Sequence, residues 1–238
     1  MNFLSLFLGI LLLNLFAYIT ISIRPKIFKV KVYRPMLKNF VLSVLPLLIL
    51  AANILIFLAL SILRVYAEIE FLLAPAYVIY FAGLLVWLLF LPNAGYLITE
   101  LNLNHRSTDE KEVPIWYDIV SVLSFALSGI VNTLANIVII QLSFLVVFDP
   151  QALTASNYAA LFFSGVGIIF LIVVGIYLGR VIRFNTWDLL RPLSFLKKIK
   201  SHYSERGRFK EFLFYVIINT IFFVIMYVSF GIPFFFIF

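Results

Sequence analysis

Six stretches of this chain stay apolar for about 20 residues or longer, the length an α-helix needs to cross the hydrocarbon of a bilayer. No other feature constrains the fold as strongly, because in lipid every backbone N–H and C=O must be bonded within the chain, and only helices and closed barrels achieve that. Barrel strands alternate apolar and polar at period two, whereas these runs are continuously apolar, so the spans are expected as helices. They cover residues 2–23, 40–63, 71–92, 117–148, 158–179 and 212–230. Hydrophobic residues make up 64% of the 238 and charged residues 12%, against about 45–50% and 25% in soluble domains. Little is left for a separate soluble domain. The expected fold is all-α: a single integral membrane domain over residues 1–238, a polytopic bundle of six transmembrane helices.

The first run lacks a basic leader, is too long for a signal core and is not followed by a small-x-small cleavage pattern, so it is expected to remain in the mature protein. The fourth run, 32 residues and about 48 Å as a helix, could hold two spans. Dividing it would invert everything downstream. Orientation follows from Lys and Arg, which stay on the cytoplasmic side in short loops. Seventeen of the eighteen fall in the connections after the first, third and fifth runs, so both termini are expected outside and the basic loops in the cytoplasm. The fourth run is then one long, tilted or protruding helix. The net charge of +7 is explained by basic loops beside anionic headgroups and calls for no nucleic acid.

The absence of cysteine excludes disulfides, thiolate metal sites and cysteine nucleophiles. His105 and His202 are too few for a multi-histidine metal cage. His105 with Glu100 and Asp118 fits no helical metal motif, and no serine sits in a Gly-x-Ser-x-Gly elbow, so no catalytic, metal or cofactor residue is assigned.

The informative residues are the polar ones, since each unpaired polar group in a bilayer is costly. Three blocks gather at the cytoplasmic ends of the spans: Pro92–Glu100, Pro114–Asp118 and Gly175–Asp188. On the fourth span Asp118, Ser121, Ser128, Asn132, Asn136 and Ser143 fall within an arc of about 80°, with Gln141 elsewhere. Such a stripe must face protein or water: either it glues helices together or it walls a polar cavity. Arg180 and Arg183, at i and i+3, reach one patch, and Asp118 is expected to pair with one of them. Gly175 and Gly179 form a close-packing motif. Asn185 reads as the N-cap of a short interfacial helix with Asp188 at its third position, and Lys197–Lys210 as a separate surface segment. Trp116 and Trp187 fit an aromatic belt.

These blocks carry a resemblance. Leu91–Glu100, Trp116-Tyr117-Asp118 and Gly175–Asp188 resemble the signature blocks of an uncharacterised bacterial membrane family, domain of unknown function 1361. The family pattern prefers Asp where Glu100 stands and often has Pro where Gly95 stands. The resemblance implies a multi-pass protein of the bacterial cytoplasmic membrane and imports no reaction.

Three functions compete. The first is binding or transport of a small polar or anionic ligand or lipid headgroup, at a pocket of Asn93, Tyr96, Glu100, Asp118, Asn132, Arg180, Arg183, Asn185, Trp187 and Asp188. The second is a structural or assembly subunit with a membrane-protein partner, and the third a membrane-embedded acid–base or metal-assisted enzyme. Membrane lipids are partners in all three.

Overall fold

A computed structural model describes residues 3–102, 113–148, 155–183 and 192–231, and among these the regular structure is helical throughout. Six helices are long and apolar enough to cross a membrane. In chain order the α-helices are α1 (Phe3–Phe28), α2 (Arg34–Tyr66), α3 (Leu73–Phe90), the single turn α4 (Pro92–Gly95), α5 (Ile115–Phe148), α6 (Ala155–Arg180), α7 (Pro192–Ser204) and α8 (Arg208–Met226). The six expected spans are all present, and the fourth run is indeed one 34-residue helix. Several helices outrun their apolar stretches. α1 continues through Arg24 and Pro25 to Phe28, and α2 starts at Arg34, because a helix keeps its backbone bonded whether its side chains meet lipid or headgroups.

The six spans do not share the work of packing equally. In α5, 72% of the membrane-length window is buried, against at most 28% in any other span. α5 is therefore the axis, and the other helices cover it and each other while showing lipid their outer faces. On one side Ile130, Leu134 and Ile137 of α5 pack with Leu50, Trp87, Ile169, Ile172, Ile176 and Phe223. On the other, Val122 and Phe125 pack with Ala17 and Ile21 of α1 and Met36 and Phe40 of α2.

Pro92 ends α3, because it has no N–H to continue the ladder and its ring crowds the preceding turn. The chain breaks there into α4 and then a 3₁₀ stretch, Tyr96–Asn102. This bent segment is a wedge in the bundle: Leu91, Ala94 and Leu97 have no exposed surface. It fits because its neighbours are small. A methyl group on Gly175 of α6 would overlap the Pro92 ring, and one on Gly129 of α5 would press on Leu97. The expected role of Gly175 as a close-packing residue is thus met by the wedge.

The interfacial helix expected to start at Asn185 lies in part outside the described residues. Among the described residues, helix α7 begins at Pro192, where a missing N–H costs nothing in the first turn of a helix, and carries Lys197, Lys198 and Lys200. α7 and α8 are separate helices, joined through Gly207, whose φ of 94° suits a residue without a side chain. Arg208 bonds Glu205 and Glu211 at this corner, and its hydrogen bond holds the Glu205 carboxyl below the ordinary range.

Gly175→Ala should lower the thermal midpoint in detergent, because over-packing of this kind costs about 1–3 kcal/mol. Gly167→Ala, where an added methyl meets nothing within 4 Å, should leave the midpoint unchanged in the same unfolding experiment.

Candidate functional site

The polar residues of α5 form a ladder from Asp118 to Ser143, about 38 Å along the axis, and the structure shows what each rung meets. At its first turn Asp118 is 1% exposed and pairs with Arg24, itself 7% exposed, at 3.2 Å from Nε to Oδ1. The N-terminus of α5 also favours an acidic side chain in this position. Beside the pair, the Tyr117 hydroxyl donates to the Thr20 carbonyl at 2.6 Å, and Ser121 Oγ donates to Thr20 Oγ1 at 3.3 Å. The end of α1 is thereby fastened to the start of α5. The arginine expected opposite Asp118 was Arg180 or Arg183; the structure supplies Arg24 instead, because α1 and not the end of α6 covers this face of α5.

Deeper in the bundle, Asn132 is the principal junction. Asn14 and Asn132 exchange amide hydrogen bonds at 2.9 and 3.0 Å, and the second Nδ2 proton of Asn132 goes to Ser43 Oγ at 3.1 Å. Ser43 passes its own proton to the Ala94 carbonyl at 2.9 Å. One amide thus joins α1, α2, the wedge and α5. Asn136 donates to the Asn132 carbonyl and accepts from Trp87 Nε1 at 2.9 Å, and Ser143 meets the Tyr80 hydroxyl at 3.2 Å. Gln141 faces the other way, as its position off the arc requires. It donates to the Leu161 carbonyl and Ser164 Oγ and accepts from the Tyr227 hydroxyl. The ladder is spent on helix contacts.

A second polar group lies where the wedge meets the end of α6. The Arg180 guanidinium sits over the Tyr96 ring, 4.7 Å from its centroid, and the Tyr96 hydroxyl points at the Gly179 carbonyl at 3.5 Å. Stacking of this kind directs the guanidinium donors along its plane. One turn earlier on α6, the buried Tyr177 hydroxyl bonds Nε2 of His202 on α7 at 3.0 Å. Past the end of α6, Arg183 is exposed and holds φ at 59°, a left-handed conformation that costs a side-chain-bearing residue energy. Asn93 returns its amide to the Phe90 carbonyl at 3.0 Å.

Of the candidate ligand residues, the structure brings together Tyr96 and Arg180, with Asn93 in the same wedge. Asp118 and Asn132 belong to the α5 ladder and stand 14 residues apart, about 21 Å, too far to touch one small ligand. The Glu100 side chain, His105, Asn185, Trp187 and Asp188 lie outside the described residues. Among the described residues no group of three or more His, Asp or Glu is placed to hold a metal ion. Asn14, Thr20, Arg24 and Ser43 are the polar partners absent from the sequence-based site. Asn14, an amide in the middle of an apolar run, was the signal that α1 has a polar neighbour.

Residues 39–227 match a family described as "Protein of unknown function (DUF1361)". The chain belongs to that family. The match takes in the wedge, the whole ladder of α5 and the end of α6, and begins inside α2, so that Asn14, Thr20 and Arg24 lie before it. No curated protein and no solved structure matches the chain.

The ion pair makes a quantitative prediction. Asp118→Asn or Arg24→Gln alone strands a buried charge and should cost about 3–5 kcal/mol, whereas Asp118→Leu combined with Arg24→Met should recover most of that loss. A double-mutant cycle from unfolding in detergent would measure the coupling; additive losses would mean that the pair is not the fastening.

Proposed function

We propose that this family member is a multi-pass protein of the bacterial cytoplasmic membrane that binds a small anionic ligand at the basic end of its bundle, facing the cytoplasm. The observation that carries this reading is Arg180 stacked on Tyr96, with Arg183 exposed three residues on and held in a left-handed backbone conformation. A phosphate or carboxylate would meet the in-plane guanidinium donors as a charge-assisted, bidentate clamp. In this reading Asn93, Glu100, Asn185, Trp187 and Asp188 would set orientation and selectivity, and the ladder residues Asp118 and Asn132 would support the site by holding the helices together. Transport through the bundle gains no support from the ladder, whose amides at Asn132 and Asn136 are engaged with other helices.

That same engagement favours a second reading, a structural or assembly subunit in which the polar network only fixes helix packing. The two part company in a thermal-shift screen of purified protein against phosphorylated metabolites and soluble lipid headgroups. A ligand at 100 times its dissociation constant adds about 2.7 kcal/mol of apparent stability. Arg183→Lys should abolish that gain and leave the unliganded midpoint in place, because lysine keeps the charge and loses the planar fork. A screen without any stabiliser would favour the subunit.

The orientation has its own test. The chain has no cysteine, so a single cysteine at position 202 reports unambiguously. It should resist an impermeant thiol reagent in intact cells and react once the cells are opened; modification in intact cells would reverse the assignment.

A further inference from the structure

α7 joins α6 to α8, two helices of membrane-spanning length and composition, and is pinned where they end: His202 bonds Tyr177 of α6, and Tyr203 packs edge-on against Phe209 and Phe212 of α8. The C-terminal end of α7 is thereby tied to the ends of two candidate spans. At 3.6 residues per turn, His202, Ile199, Tyr203, Leu196 and Leu193 fall in sequence around one half of the helix, an arc of about 180°. Only part of that apolar half is covered by the bundle. Leu193 is 83% exposed and Leu196 59%, and they continue directly from the sector that Tyr203 occupies. Lys197 lies just beyond Leu193, Lys200 falls between the two leucines one turn further along the helix, and Lys198 follows on the polar side, all three exposed.

We propose that α7 is an anionic-lipid-binding element: it lies in the plane of the headgroups, with Leu193 and Leu196 inserted at the acyl boundary and the lysine ammoniums on lipid phosphates. Exposed leucines with one lysine beside them and another on the same face suit an interface, since the long lysine stems run along apolar surface while the charges reach the headgroups. A soluble partner is the poorer fit, because α7 is tied through His202 and Tyr203 to the ends of two candidate membrane spans. The occupant is the anionic leaflet of the membrane that holds the bundle. This inference goes beyond the anion site at Arg180 and stands whether or not that site binds a ligand. The Tyr177–His202 bond links the two places, because it ties α7 to α6 one turn before Arg180.

The test uses the full chain, with a single cysteine introduced by Leu193→Cys or, separately, Leu196→Cys and carrying an environment-sensitive dye. The protein is reconstituted in phosphatidylcholine vesicles with and without phosphatidylglycerol. Quenching by shallow nitroxide-labelled lipid, and shielding from aqueous iodide, is the expected result at both positions. In mixed nanodiscs the retained ratio of phosphatidylglycerol to phosphatidylcholine should fall about fivefold for each lysine removed in Lys197→Gln and Lys200→Gln, the factor that corresponds to about 1 kcal/mol per basic residue at an anionic surface. The lysines are read by the lipid ratio and the anion site by the thermal shift with a soluble ligand, so failure here and failure of the anion site are separate outcomes. Iodide quenching without nitroxide quenching would overturn the proposal. So would nitroxide quenching with a lipid ratio indifferent to the lysines, which would leave an interfacial helix that does not read charge.

Discussion

The bundle depends on one requirement: the polar side chains of α5 must find partners, because the solvent around them is hydrocarbon. Between helices in lipid there is no hydrophobic driving force of the kind that folds soluble domains, since lipid tails are as apolar as leucine. What remains is close packing and hydrogen bonding. α5 concentrates both, being the most buried span and carrying a ladder of Asp, Ser, Asn and Gln side chains. Ser128 turns back to the Phe125 carbonyl of its own helix, while other rungs each select a neighbour. Asp118 and Asn132 take α1, Asn132 through Ser43 takes α2 and the wedge, Asn136 takes Trp87 of α3, and Gln141 takes α6 and Tyr227.

The individual bonds are modest, about 0.6 kcal/mol each on average when measured between transmembrane helices. Their weight lies in what happens when one is broken. An amide left without a partner in the bundle bears its desolvation penalty, and a stranded carboxylate bears more. The ladder therefore specifies arrangement more than it adds stability: rotating α5 by one residue would point Asn132 away from both Asn14 and Ser43. Packing reinforces the same register, because the wedge fits only where Gly129 and Gly175 face it.

Much of this was legible in the sequence, and the limits have physical causes. Six helices follow from apolar run length, and the polar arc of α5 follows from helical periodicity, including the exclusion of Gln141. The periodicity says which residues share a face and nothing about which helix covers it. Asp118 was therefore matched to the arginines of the third polar block, whereas its partner lies 94 residues away at the end of α1. Arg24 looked like an ordinary member of a basic loop because the apolar run ends at Ile23; the helix itself runs five residues further. Asn185, which suggested a cap, lies outside the described residues, and Pro192, which seemed awkward beyond the first turn of a helix, is the first residue of α7. The wedge was legible as a motif but not as a packing element, since a Pro-Asn-Ala-Gly sequence reads equally well as a loop.

The arrangement also limits where chemistry with a ligand can occur. Arg180 ends α6, and a helix C-terminus carries the negative pole of the backbone dipoles. A cation is stabilised there without any ligand, and an anion approaching along the helix axis would be repelled. In the proposed site the anion would reach Arg180 from the side, in the plane of the guanidinium that Tyr96 orients, with Arg183 beyond the helix end presenting a second planar fork. The wedge is what makes such an approach conceivable, since it fixes Tyr96 against α6 through Pro92 and Gly175. The residues of the first polar block thus orient those of the third, and the ladder that holds the wedge in place through Ser43 supports that end of the bundle.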